Sequence, residues 1–311
     1  MRMKTLITWK IVRGPCLVWI LVLWAMGFGT AAVYAQDTAQ AATAVAQKPK
    51  PTVVKNTFES IWIIDNQTVM VPVKGTFEMD ILHRFGVWEN GYEDFFGLFA
   101  SSNIRIGASY APINKLNVGV GITKYKMMWD ANVKYAIIEQ MSSGRWPVSI
   151  TYYGNAAIDS RSSDNFQNFS DRLTYFNQII IARKITPKFS AQVAPSLSHT
   201  NVVNGYYSEP GKVSEERNHN HFAVAVSGRY KLKESMAIIA NYDQPITKHK
   251  AGNPHPNISL GLEISTSAHA FQFFAGNYYY LSPQQNNMYN TNDFTKGEFL
   301  IGFNITRLWN Y

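Results

Sequence analysis

Beyond residue 35 the chain has no cysteine, no apolar run long enough to cross a bilayer as a helix, and no block of charge of one sign. The single cysteine, Cys16, lies in an apolar run near the N-terminus, so disulfides and thiolate metal sites are excluded downstream of it. Half of the formal net charge of +8 comes from Arg2, Lys4, Lys10 and Arg13, which leaves about +4 spread along the rest of the chain. A diffuse surplus of that size is not the clustered basic face that nucleic-acid binding needs, so no nucleic-acid partner is expected. Stripes at i, i+3, i+4 and i+7 are scarce. No phosphate-cradling glycine loop, dinucleotide fingerprint or glycine-flanked serine elbow is present, and no cofactor is expected.

What is present begins with a leader. Four basic residues precede an apolar run from Cys16 to Phe28, and small residues follow through Ala35. This is the order of a secretory signal peptide over residues 1–35, with cleavage expected before Gln36. The competing reading is an uncleaved inner-membrane anchor, because Leu17 to Val33 approaches spanning length. Cys16 lacks the position and small flanking residues of a lipoprotein acceptor. From Gln36 to Pro51 the chain is rich in Ala, Gln, Thr, Lys and Pro, a composition that buries too little surface to repay its ordering entropy. Residues 36–57 are therefore expected to be a disordered periplasmic tail, and residues 58–311 the folded domain.

In that domain the dominant period is two. Ile104, Ile106, Ala108 and Tyr110 alternate with Asn103, Arg105, Gly107 and Ser109; Leu116, Val118, Val120 and Ile122 alternate with Asn117, Gly119, Gly121 and Thr123. Trp129 to Ile137, Phe222 to Tyr230, Met236 to Tyr242 and Ile258 to Ile264 repeat the partition, whereas Arg172 to Lys184 is apolar on both faces around Ile179-Ile180-Ile181. One greasy and one wet face, with mean hydropathy slightly negative, fits strands whose alternate residues meet lipid. The expected fold class is all-β: a closed antiparallel up-and-down transmembrane β-barrel of about 12 strands. A soluble β-sandwich also alternates, but would hide the greasy face against a second sheet.

Connection lengths give a separate indication. Short links at Pro112–Lys115, Met141–Trp146, Thr186–Lys188, Lys231–Ser235 and Ser265–Ala268 alternate with long ones at Gly86–Ser102, Ile158–Asp171, Asn204–Asn220, Ile246–Pro256 and Ser282–Gly297. Bacterial barrels alternate short periplasmic turns with long outer loops, so the long segments are expected outside. The brief Lys124–Met128 link falls on the outer side by parity. The last strand, with Phe299, Ile301, Phe303 and Ile305 on one face, leads to Trp309-Asn310-Tyr311, which is similar to the aromatic-ended signal read by the barrel insertion machinery.

Several segments occur in a familiar order: Phe58-Glu59-Ser60, Ile63 to Val69, Gly75 to Phe77, His83-Arg84-Phe85-Gly86, Phe96-Gly97-Leu98, the hairpin Ile104 to Thr123, and Asp130 to Gln140. Together they resemble a Gram-negative outer-membrane β-barrel family described only as a domain of unknown function. The resemblance implies a barrel and an outer-membrane address, and brings no functional residues with it.

Parity points Glu78, Asp80, Arg84, Arg105, Asp130, Lys134, Arg229, Asp243 and Glu263 inward. Charges of both signs in a narrow lumen read either as a plug of ion pairs or as a water-filled path with tuned selectivity. His219, His221, His249 and His255 in two long loops are weak metal candidates without acidic partner spacing, so no metal site is expected. Ser198 and His199 are adjacent, hence on opposite strand faces, and His83 lies on the lipid-facing parity near the rim without a serine elbow; these are the residues a lipid hydrolase reading would need. Tyr278-Tyr279-Tyr280, with Trp88, Tyr92, Phe95 and Phe96, reads as an interfacial girdle before it reads as a stacking platform. The expectation is a non-enzymatic outer-membrane barrel for small-solute passage or ligand binding, in contact with outer-membrane lipids and open to an envelope protein partner. Its alternatives are an outer-membrane lipid hydrolase with a rim site, or a structural or partner-docking barrel with a plugged lumen.

Overall fold

The structure, a computed structural model, describes residues 51–310. The expected signal peptide with its cleavage point, most of the expected tail and the terminal Tyr311 lie outside the described residues. A two-residue-per-arm hairpin comes first, β1 (Trp62–Ile63) and β2 (Asn66–Gln67). The long strands follow as β3 (Thr76–Val87), β4 (Asn103–Ile113), β5 (Leu116–Thr123), β6 (Met128–Ile138), β7 (Ser149–Ile158), β8 (Leu173–Lys184) and β9 (Phe189–Thr200). A loop hairpin, β10 (Gly205–Glu209) and β11 (Lys212–Glu215), interrupts them. The series resumes with β12 (Asn220–Lys233), β13 (Met236–Pro245), β14 (Asn257–Ser265), β15 (His269–Gly276) and β16 (Leu300–Asn310), and helix α1 (Pro283–Tyr289) lies in the last long connection.

β3 to β9 and β12 to β16 form one closed antiparallel barrel of twelve strands, each paired with its neighbours in chain order. β16 closes on β3 with Asn310 opposite Thr76 and Trp309 opposite Phe77, so the wall begins and ends at the same rim. Closure leaves no unpaired edge, the condition for a sheet whose outer surface meets hydrocarbon. That outer surface is the greasy face read from the sequence: Ile106, Val120, Ile122, Trp129, Leu260 and Phe273 are all exposed. No second sheet covers them among the described residues, which rules out the sandwich.

The five short turns gather at one rim and the long connections at the other, as parity required. Two segments depart from the expectation. Residues 58–74, counted with the barrel domain, add no strand to the wall; those up to Pro72 turn into the lumen and fill it, while Val73 and Lys74 are exposed. The Ser282–Gly297 connection, expected to lie outside, folds inward so that Gln284 to Met288 of α1 are buried. Residues 58–74 carry apolar side chains, Phe58, Ile61 to Ile64 and Val69 among them, but in no sustained period, and 282–297 carries few, so neither holds a signal for lying inside rather than over the rim. Residues 52–55 lie against the short-turn rim: Val53 bridges to Met141, and Val54 N donates to the Gln140 carbonyl at 2.8 Å.

Candidate functional site: a lumen closed by the chain itself

The inward chain turns back at Ile64 and Asp65, with Ile64 in the left-handed region (φ 56°). The turn is too tight to satisfy its own backbone groups, and buried ones must find partners. They find side chains of the wall. Asn241 Nδ2 donates to the Ile63 carbonyl (2.5 Å) and Asn304 Nδ2 to that of Ile64 (2.6 Å). Gln272 serves twice, accepting from Ile64 N (3.0 Å) and donating to the Trp62 carbonyl (2.8 Å). Gln192 donates to the Gln67 carbonyl (2.8 Å), and Thr151 to that of Val69 (3.0 Å).

The nine charged residues all point into the lumen, and most hold this segment or brace the wall around it. Arg84, fully buried, donates from Nη2 to Asp65 Oδ1 (2.5 Å) and from Nη1 to Asn304 Oδ1 (2.9 Å). Lys134 Nζ donates to the Ile61 and Met70 carbonyls at 3.2 and 3.1 Å. Asp243 accepts from Asn66 Nδ2 at 2.8 Å. Arg229 pairs with Glu263 (2.7 Å) and reaches Glu59 (3.6 Å). Arg105 lies between Asp80 (2.6 Å) and Asp130 (2.9 Å), with the Trp62 ring 5.6 Å away. Glu78 is buried, and its Oε1 has no hydrogen-bond partner among the described residues.

Apolar contacts complete the seal. Phe58, Ile63, Ile64 and Val69 pack against Phe176, Ile180, Phe274 and Tyr278 of the lumen. This corrects the girdle reading of Tyr278: the ring is 1% exposed, and its hydroxyl donates to Ser259 at 2.7 Å. Tyr279 and Tyr280 are half-buried, with Tyr280 against Tyr125, while Tyr92, Phe95 and Phe96 project outward. From the long-loop end, Asn286 of α1 donates to the Asp65 carboxylate, so helix and hairpin tip meet in mid-lumen. Two voids of about 10 Å³ each flank that meeting point, room for single waters.

Above the seal is a vestibule of about 550 Å³ with Lys126, Arg172 and Tyr289 in its lining; below it is one of about 350 Å³ between the short turns. The four loop histidines are not brought together. His249 Nδ1 accepts from Asn218 N (3.0 Å), and its Nε2 meets His221 Nδ1 (2.8 Å). His219 instead contacts the Thr200 carbonyl (2.7 Å) and His255 lies 3.9 Å from Asp293. No group of three or more metal-type ligands occurs among the described residues. Ser198 is buried inside while His199 faces outward to Asn220 (2.8 Å), and the His83 ring stacks on Phe303.

Sequence reasoning missed Asp65, Asn66, Gln272, Asn304 and Lys126. Inward amides at sheet positions were the available signal for the wall residues, since a lumen that needs only filling does not call for donors and acceptors in pairs.

Fold and lumen define a membrane-spanning up-and-down barrel closed from within by its own N-terminal segment. Residues 58–309 match the family described as membrane bound beta barrel domain (DUF5777), and the chain belongs to that family. The chain matches no curated protein sequence. Among solved structures it is similar to the NanC porin, at 10% identity and a TM-score of 0.46 over 76% of this chain and 99% of that one. It is also similar to an outer-membrane channel from Pseudomonas putida F1, at 10% identity and a TM-score of 0.44 over 77% and 97%.

Proposed function

We propose that the protein lies in the outer membrane of a Gram-negative cell, long loops outward and short turns toward the periplasm, and handles small solutes through a lumen closed at rest by residues 57–72. Membrane lipids cover its apolar face, and the aromatic-ended last strand suits delivery by the barrel insertion machinery. The observation that carries the reading is the chemistry behind the seal. Asn241, Gln272, Asn304, Gln192, Thr151 and Lys134 meet the segment through its backbone carbonyls and amides. Each such bond is worth only about 0.5–1.5 kcal/mol net, because water replaces the partner when the segment leaves. An emptied lumen would keep those polar groups and fill with water, which is what a solute path requires.

A second reading, a permanently plugged structural or partner-docking barrel, draws on the apolar cluster of Phe58, Ile63, Ile64 and Val69. Burying such side chains contributes about 1.5–3 kcal/mol each, enough in sum to make departure rare. Planar-bilayer recording separates the two. The full chain is expected to give no steady current, and a variant lacking residues 57–72 steady ohmic steps. A folded deletion variant that passes no current sinks the passage reading and leaves the plugged one.

A further inference from the structure

The vestibule at the long-loop end has the size of a small-molecule site, about 550 Å³. Gln285 and Tyr289 of α1 form part of its lining, together with the turn at 125–127 and the connection at 159–172. Its charges do not cancel. Arg161 is paired with Asp159 (2.8 Å), and Asp171 accepts from the backbone N of Asn168 (2.8 Å). Arg172 donates only to the carbonyls of Asp159 and Arg161 (2.9 and 2.7 Å), its guanidinium 4.4 Å from the centre of the Phe166 ring. Lys126 takes part in none of the ion pairs among the described residues, and its ammonium instead faces the rings of Tyr125 and Tyr289 at 5.5 and 6.0 Å. Two cations are thus left without a carboxylate partner in one cavity. Lys126 is also held at φ 56°, followed by Met127 at φ 47°, a conformation non-glycine residues adopt at a cost and one that concentrates at ligand sites.

We propose that this vestibule binds a small hydroxylated anion, a sugar acid in chemical class, with Lys126 receiving the acid group. The proposal deepens and rests on the solute-handling reading. An anion entering the cavity balances the one positive charge by which Lys126, Arg161 and Arg172 outnumber Asp159 and Asp171. Burial already pulls the Lys126 ammonium below the ordinary lysine value, with Asp159 opposing and Arg161 adding to it, so an approaching anion meets a poorly solvated cation. Amide side chains of the lining, Gln167, Asn204 and Gln285 among them, offer donors and acceptors to ring hydroxyls.

The test is equilibrium binding to the full chain in detergent, which needs no open lumen and so stands or falls apart from the conductance result. Glucuronate, glucose and glucosamine share one ring and differ in charge. Glucuronate is expected to bind at least 10-fold more tightly than the other two, and to weaken as salt rises. Lys126→Met is expected to weaken glucuronate at least 10-fold, and Lys126→Arg to restore it to within a few-fold. Equal affinity for glucosamine and glucuronate overturns the proposal on the unmodified protein, whatever the variants do. Unchanged glucuronate binding by folded Lys126→Met overturns it independently.

Discussion

At the scale of single residues, the lumen shows how one arginine dictates its neighbours. Arg105 presents Nε and Nη2 to Asp130 and Nη1 to Asp80, a forked pairing that lysine cannot reproduce. Gly121 and Gly107 lie beside this cluster: a Cβ at Gly121 would overlap the Arg105 guanidinium, and one at Gly107 the Asp80 carboxylate. The inward glycines that read simply as small residues on a wet face are therefore the space the ion pairs occupy. Arg105→Met is expected to cost about 3–5 kcal/mol, because it strands two buried carboxylates, whereas a surface pair is worth about 1 kcal/mol or less. Urea unfolding of the refolded barrel measures it; a loss below about 1 kcal/mol would mean that water reaches the cluster.

At the scale of elements, β8 explains why its sequence looked irregular. Its outward face carries Tyr175, Ile179 and Ile181 to the lipid, as every wall strand does, while its inward face carries Phe176 and Ile180 to the apolar side of the hairpin. A strand between lipid and a packed segment is greasy on both sides, and periodicity alone cannot say what covers the second one. The histidine contact is one of several that hold the 246–256 loop at the long-loop rim, beside Ala251 N donating to the Glu216 carbonyl (3.0 Å) and Arg217 to that of Gly252 (2.6 Å). Because His249 Nδ1 accepts from Asn218 N, its proton lies on Nε2 and is donated to His221. Charging His249 puts a proton on Nδ1 and breaks the Asn218 contact. Burial, then Arg217, holds His249 below its ordinary value of 6.5, with Glu216 opposing. The detached loop then binds a proton more readily than the docked one, so docking is fully stable above about pH 6.5 and weakens as pH falls through the lowered value. Hydrogen exchange at residues 246–253 should be slow and flat from pH 8 to 7 once corrected for intrinsic rates, and should accelerate below 6.5. Flat protection down to pH 5 would show that the histidine contact does not hold the loop.

At the scale of the molecule, the wall and the seal are separable structures. Every wall strand completes its hydrogen bonding with its two neighbours, and β16 closes on β3 without help from residues 57–72. The deletion variant is thus expected to keep the faster migration of an unheated sample on a detergent gel relative to a boiled one, as the full chain should. Loss of that shift on deletion would mean that the seal is part of what holds the wall closed.

Strand number and the alternation of short and long connections were legible because each follows from local pattern: period two places a side chain on one face whatever the rest of the chain does. The occupants of the lumen were not legible. Residues 58–74 read as the start of the barrel, and 282–297 as one more outer loop, because going inside is decided by partners distant in sequence: Gln272 for Trp62, Asn304 for Ile64, Asp65 for Asn286.

What the chain determined by itself is a sheet whose every second side chain is apolar, and such a sheet in lipid must close, since any free edge would leave backbone groups with neither water nor a partner. What only the tertiary structure decided is whether the enclosed space is a path or a filled interior. Closure brings side chains more than two hundred residues apart around one axis, and their polar groups are satisfied by the segment that lies on that axis, here the turn at Ile64 and Asp65.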